Sequence, residues 1–317
     1  VGTNSQPGDP RAAHSALPSP TVELGAELPQ RLERFAARVS SARERREGAG
    51  TASLAGAGHE FVGYRPYARG EDLRALDWSL LARLDRPYVR VLRREAGERW
   101  LVMLDTSASM GVGPPGKLQR AAEVCAALAC LGLRLGAEVR LVDVAQRGEA
   151  QATRSVRVSK RAEIADVLAF VAARRAHGTL PDQAYAREAA AGARASRVFA
   201  VGDLLPVAPV ELLSLATRGR EVFAVQILAP HELVPDTVGA RDAYAEWWEP
   251  ESNRRRIAPL DATSCARYAA LLERRLDAWR AACAERRVRY ACSSSALAFE
   301  EIALRALGDA VTGSRAR

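Results

Sequence analysis

From residue 99 onward, short and nearly continuous apolar runs alternate with segments whose apolar residues recur at helical spacing, and this alternation leaves few folds open. "RWLVMLD" reads as a strand, Lys117 to Leu135 as an amphipathic helix, "EVRLVDV" as a strand, "RSVRVS" as a candidate edge strand and Ala162 to Arg175 as a helix. A helix over Asp182 to Arg194, the strand "RVFAVGDLL", a short helix over Pro209 to Thr217 and the strand "EVFAVQIL" follow. A polar, aromatic stretch, "RDAYAEWWEPESNRRRIAP", then interrupts the pattern and reads as an inserted hairpin. The alternation resumes with a helix over Ala262 to Arg286, the strand "VRYACS" and a last helix over Phe299 to Leu307. Strands that are apolar along their whole length suit a parallel sheet covered on both faces, because each strand is then buried on two sides. The expected fold class is therefore α/β, a doubly wound and mostly parallel sheet of Rossmann-like type.

The upstream part differs in texture. Residues 1–57 read as a disordered lead rich in Pro, Ser, Gly and Ala, with one short helix over Leu28 to Arg46 and the Gly-rich link "GAGTASLAGAG". Residues 58–99 are β-rich, with "HEFVGYRPY" and "PYVRVLRR" as strands, and residues 100–312 form the main domain with its hairpin at about 230–260. Each of these outlying strands has an apolar face that a lone hairpin cannot bury. They are expected to pack together as a small accessory β layer, with Trp78 as an apolar anchor.

Composition narrows the function classes. No apolar window of transmembrane length is free of charge, since even "AAEVCAALACLGLRLGAEV" carries Glu123, Arg134 and Glu138. The first twenty residues have neither a basic nor an apolar signal region, so the expected location is cytoplasmic. The five cysteines show no C-x-x-C pairing and sit mostly among Ala and Leu, which argues against both disulfides and zinc. The net charge of +8 is almost wholly arginine, with Lys117 and Lys160 the only lysines. Most of these arginines alternate with Ala and Glu on helical patterns, as solvated faces do, and no nucleic-acid partner is expected.

The site is expected where "LVMLDTSASM" ends. In an open parallel sheet, ligands bind outside the carboxyl ends of the strands, and Asp105 stands at such an end. If the loop stays extended, side chains at i, i+2 and i+4 point the same way, so Asp105, Ser107 and Ser109 can present three oxygens to one point. Carboxylate and hydroxyl oxygens are hard ligands suited to Mg²⁺ or Mn²⁺ rather than zinc.

The "DTSAS" pattern resembles the first motif of the metal-ion-dependent adhesion site of von Willebrand factor A-like domains. That resemblance implies a threonine on a later loop and an aspartate at a later strand end, places matched here by Thr179 in "HGTLP" and Asp203 in "FAVGDLL". Just upstream, "YRPYARGEDLRALDWSLLAR" is similar to the bacterial family catalogued as domain of unknown function fifty-eight, through Arg65, Tyr67, Gly70, Arg74, Asp77, Trp78, Ala82 and Arg83. Glu71 stands where that family usually has Asp, and Leu76 where it has isoleucine. Asp72 lies in the same stretch, and Arg74 with Asp77 and Arg65 with Asp72 are candidate ion pairs docking the segment, or else contacts to a partner. The family resemblance implies a non-catalytic protein-interaction module of the bacterial cytoplasm. Its expected partners are a MoxR-type AAA+ ATPase, acting in assembly or maturation of other proteins, and an acidic side chain that completes the metal site.

A hydrolase is the alternative. Asp105, His177 and Ser264 occur in the chain order of subtilisin-like proteases, but Ala262 replaces the glycine expected before the Thr-Ser pair, and Asn4 and Asn253 are the only asparagines. A metal-assisted hydrolase would need a general base, for which His177 is the one histidine near a proposed ligand in sequence.

Overall fold

The computed structural model describes residues 21–48, 59–67, 77–94, 98–114, 116–146, 154–216, 220–234, 243–252 and 254–308. Its centre is a six-stranded sheet built from β3 (Arg99–Leu104), β4 (Glu138–Asp143), β5 (Ser155–Val158), β6 (Arg197–Gly202), β7 (Glu221–Leu228) and β10 (Arg289–Ser294). The order across the sheet is β10-β7-β6-β3-β4-β5. All pairings are parallel except β4 with β5, where Val139 faces Val158 and Val142 faces Ser155. The mostly parallel α/β sheet expected from the alternation is what forms.

Side chains alternate across the strands, as the pleat requires. Trp100, Val102, Leu104, Phe199, Val201, Phe223 and Val225 join one core, while Leu101, Met103, Val198, Ala200, Val222 and Ala224 join the other. The first core is covered by α3 (Lys117–Arg134), α4 (Ile164–Ala172) and α9 (Phe299–Leu307). The second is covered by α5 (Ala184–Ala191), α6 (Pro209–Leu213) and α8 (Ala262–Glu285). In α3 every residue except Gln119, Arg120 and Arg134 is buried, so this helix runs through the middle of the molecule.

What covers the outer side of α3 is α1 (Leu28–Gly48), which starts at the expected Leu28 and ends two residues past Arg46. Its Leu28, Leu32, Phe35, Ala36 and Val39 belong to the same core as the sheet. Phe35 meets Phe299 edge-on at 6.2 Å, and Arg31 forms a bidentate pair with Glu300 at 2.9 and 2.7 Å.

The two outlying β segments are separate two-stranded sheets, β1 (His59–Pro66) with β2 (Tyr88–Arg94) and β8 (Ala243–Glu249) with β9 (Arg254–Leu260). Among the described residues these two sheets share no strand pairing. A short helix, α2 (Trp78–Leu84), lies between β1 and β2, and it corrects the expectation for Trp78, which is 64% exposed. The buried residue is its neighbour Asp77, which caps α2 by accepting from the Ser79 and Leu80 amides at 3.0 and 3.1 Å and receives the Tyr64 hydroxyl at 3.1 Å. Trp78→Ala is accordingly expected to shift stability by no more than about 0.5 kcal/mol, checked by thermal denaturation. Tyr67 is half-buried and Arg83 exposed. Gly70, Asp72, Arg74 and the side chain of Arg65 lie outside the described residues, and with them both candidate ion pairs.

Candidate functional site

From β3 the chain passes through α3 to β4 on one side, whereas β6 pairs with β3 on the other. The connections leaving β3 and β6 therefore diverge, and such a switch point opens a crevice at the carboxyl edge. Asp105 follows β3 and Asp203 follows β6, one on each side of that crevice. The ladder runs on past the strand, since the Asp105 amide donates to the Val201 carbonyl at 2.9 Å.

The loop after Asp105 is held from several directions. Asp105 Oδ1 accepts the Ser107 amide at 2.8 Å, the Ser107 and Ser109 hydroxyls lie 3.1 Å apart, and a single 3₁₀ turn follows at Ala108–Gly111. Behind the loop, the Thr106 hydroxyl donates to Asp143 Oδ1 at 2.6 Å, and Arg174 pairs with Asp143 Oδ2 at 3.2 Å. The segment bearing Thr179 is stitched on by the His177 amide to the Thr106 carbonyl at 2.9 Å and the Ala108 amide to the Gly178 carbonyl at 3.0 Å. Thr179 itself exchanges both backbone hydrogen bonds with Gln146, at 2.9 and 3.1 Å. Asp105, Ser107, Ser109, Thr179 and Asp203 thus all sit on loops at one edge of the sheet. Asp105, Ser107 and Asp203 are buried there, and Thr179 is exposed.

Electrostatics set this edge apart. Burial, and then the nearby charge of Asp203, push the Asp105 carboxyl up to about 7 against the opposing pull of its Ser107 hydrogen bonds, and Glu251 adds to the upward push. Asp105 Oδ2 is buried and has no hydrogen-bond partner, and neither has the Tyr185 hydroxyl. The lack of a side chain at Gly202 is what makes room here, since a Cβ would lie 2.6 Å from Asp105 Cβ and 2.9 Å from both Asp105 Oδ2 and the Tyr185 hydroxyl. On the other side, Leu204 adopts φ 52°, a left-handed conformation costly for a branched side chain, immediately after Asp203.

Sequence reasoning missed the cation that serves Asp203. Lys117, the first residue of α3, is fully buried with its ammonium 3.1 Å from Asp203 Oδ2 and 2.7 Å from Glu232 Oε1. Burial works to lower its pKa, but the two carboxylates outweigh it and hold the amine charged. Asp203 Oδ1 accepts the Leu205 amide at 3.3 Å, so Asp203 is anchored through both oxygens while Asp105 Oδ2 is left bare. Asp143, Arg174 and Tyr185 were also missed, because each acts through a fold-level contact with no motif of its own.

The donor chemistry fits a hard divalent cation. Two acidic groups oppose each other in a buried setting, Asp203 with the Lys117 ammonium beside it and Asp105 with an orphaned oxygen whose burial is costly, and hydroxyls stand beside them. Among the described residues, no three His, Cys, Asp or Glu side chains converge as a metal cluster.

Of the residues of the hydrolase alternative, Ser264 is otherwise engaged. The Ser264 hydroxyl donates to the Pro259 and Asp261 carbonyls at 2.8 and 3.0 Å and accepts the Asp261 amide at 3.0 Å, closing the cap of α8. His177 is exposed and holds the loop through its backbone amide. Ser264 is a capping residue rather than an activated nucleophile.

A doubly wound α/β protein with an acidic, hydroxyl-lined edge at its switch point is the class that fold and site define. Residues 63–247 match the family described as "Protein of unknown function DUF58", and the chain belongs to that family. Uncharacterized proteins of Mycobacterium bovis and Mycobacterium tuberculosis are 30% identical over 192 residues, which is 59% of this chain and 60% of theirs. The chain therefore spans about 60% of the length of these curated relatives. A crystal structure of the conserved hypothetical protein BatB from Bacteroides thetaiotaomicron aligns with a TM-score of 0.38 and 15% identity, covering 66% of this chain and 97% of that one.

Proposed function

We propose that this protein is a non-catalytic interaction module with a von Willebrand factor A-like sheet, whose edge site takes Mg²⁺ or Mn²⁺ and uses it to hold an acidic side chain of another protein. The observation that carries this reading is the buried, partnerless Oδ2 of Asp105 facing the charge of Asp203. Asp105, Ser107, Ser109, Thr179 and Asp203 would hold the ion. It would supply a positive centre with coordination positions to spare, which an incoming carboxylate could enter. Lys117 fixes Asp203 in place, and the Thr106, Asp143 and Arg174 network holds the loop so that the hydroxyls need not be ordered on binding. The family resemblance points to a MoxR-type AAA+ ATPase in the bacterial cytoplasm as the partner, in assembly or maturation of other proteins. Among the described residues, no helix is long and apolar enough to cross a membrane.

The test is a melting experiment with and without the metal. Mg²⁺ or Mn²⁺ at about a hundred times its Kd is expected to stabilise the protein by about 2.7 kcal/mol, and Asp105→Ala to abolish that gain. An equal gain in the mutant would place the cation elsewhere. Capture of the purified ATPase by this protein should be lost on adding EDTA; capture that survives EDTA would remove the metal from the interaction.

A further inference from the structure

The turn between β8 and β9 brings a third carboxylate to the same edge. Glu251 sits at that turn, yet its Oε2 accepts a long hydrogen bond of 3.5 Å from the amide of Leu180, the residue after Thr179. Its Oε1 is buried and has no partner, as is true of Asp105 Oδ2. The rest of the hairpin is strongly exposed at Tyr244, Trp248, Ile257, Glu249 and Ser252. A glutamate at the tip of such a hairpin would ordinarily point into water, where its charge costs nothing. Here the tip is folded toward the edge, against the segment that carries Thr179. The Lys117 ammonium already serves Asp203, so Oδ2 of Asp105 and Oε1 of Glu251 are the buried acidic oxygens left without a partner among the described residues.

We infer that Glu251 is the chain's own carboxylate ligand for the edge cation, filling from within the coordination position that a partner's acidic side chain would otherwise take. The inference rests on the cation reading given above. Asp105, Asp203 and Glu251 form no converged three-residue cluster among the described residues, so the Glu251 carboxylate would complete the site only together with the ion. A tethered carboxylate competes at an effective concentration on the order of millimolar, so a partner's acid must displace the β8–β9 turn to bind.

Mn²⁺ is the probe, with water-proton relaxation on the full chain reporting both its affinity and the water left on it. The wild type should bind Mn²⁺ and Asp105→Ala should not. Glu251→Gln should weaken binding about tenfold or more and raise the relaxation enhancement per bound ion, because water enters the vacated position. Added acetate should then lower that enhancement in the variant but not in the wild type. Glu251→Asp, which keeps the charge and shortens the reach, should give the same two changes in smaller measure, and it serves if glutamine disturbs the turn. If both Glu251 variants bind Mn²⁺ with wild-type affinity and hydration while Asp105→Ala does not bind, the edge site stands and the role of Glu251 falls. A wild-type protein that ignores Mn²⁺ overturns both.

Discussion

Replacing Lys117 with methionine should lower stability by about 3–5 kcal/mol, seen as a drop in the urea midpoint with little change in slope. The methylene stem would be conserved in volume, so the loss comes from the charge. Asp203 and Glu232 would face each other with no ammonium between them, 3.1 and 2.7 Å from where it had been. The double variant Lys117→Met with Asp203→Asn should regain part of the loss, because one of the stranded charges is then gone. Equal urea midpoints for Lys117→Met and the wild type would mean that Lys117 is not a structural cation.

A loss of similar size, about 3–5 kcal/mol, is expected for Trp100→Ala. Trp100 is 1% exposed, its ring lies 5.3 Å from Phe199, and Phe199 is stacked on Phe223 at 4.4 Å. Helix α3 comes so close at Gly132 that a Cβ there would lie 2.9 Å from the indole, so neither helix nor sheet can simply collapse into the space left behind. The indole N–H also donates to Glu98 at 2.8 Å, a hydrogen bond that the variant loses while Glu98 keeps its ion pair with Arg197. Set beside Trp78→Ala, which should be nearly neutral, this variant separates a tryptophan of the core from one on the surface by thermal denaturation alone. Similar losses for both would contradict the burial described above.

The contrast between those two tryptophans marks where sequence reasoning stops. Runs such as "WLVML" and "VFAVQIL" announce strands buried on two sides, since no other environment tolerates so many consecutive apolar residues, and the sheet was legible for that reason. The antiparallel direction of β5 was not, because the exposed pattern of a four-residue edge strand is indifferent to direction. In "DWS" a motif shows that something matters but not which residue turns inward; the structure buries Asp77 as a cap and leaves Trp78 outside. At the edge, Asp105, Ser107 and Ser109 were readable from local spacing. Lys117 was not, because a lysine at the start of an amphipathic helix looks like an ordinary solvated charge until Asp203 and Glu232 arrive from remote parts of the chain. Glu251 was hidden in the same way, inside a polar turn that gives no hint of folding back.

The burial of α3 has a consequence for the order in which the protein is made. This helix emerges from the ribosome after α1 and before α4 and α9, yet part of its cover is α9, near residue 300. At about 5–20 residues per second, synthesis leaves α3 waiting on the order of 10–30 s for α9. Until α4 follows, α1 is the helix already synthesised that packs on α3 among the described residues and can shield its apolar flank. A nascent chain with a weakened α1, for example through Phe35→Ser, should therefore aggregate during translation to a degree out of proportion to the stability of the finished fold.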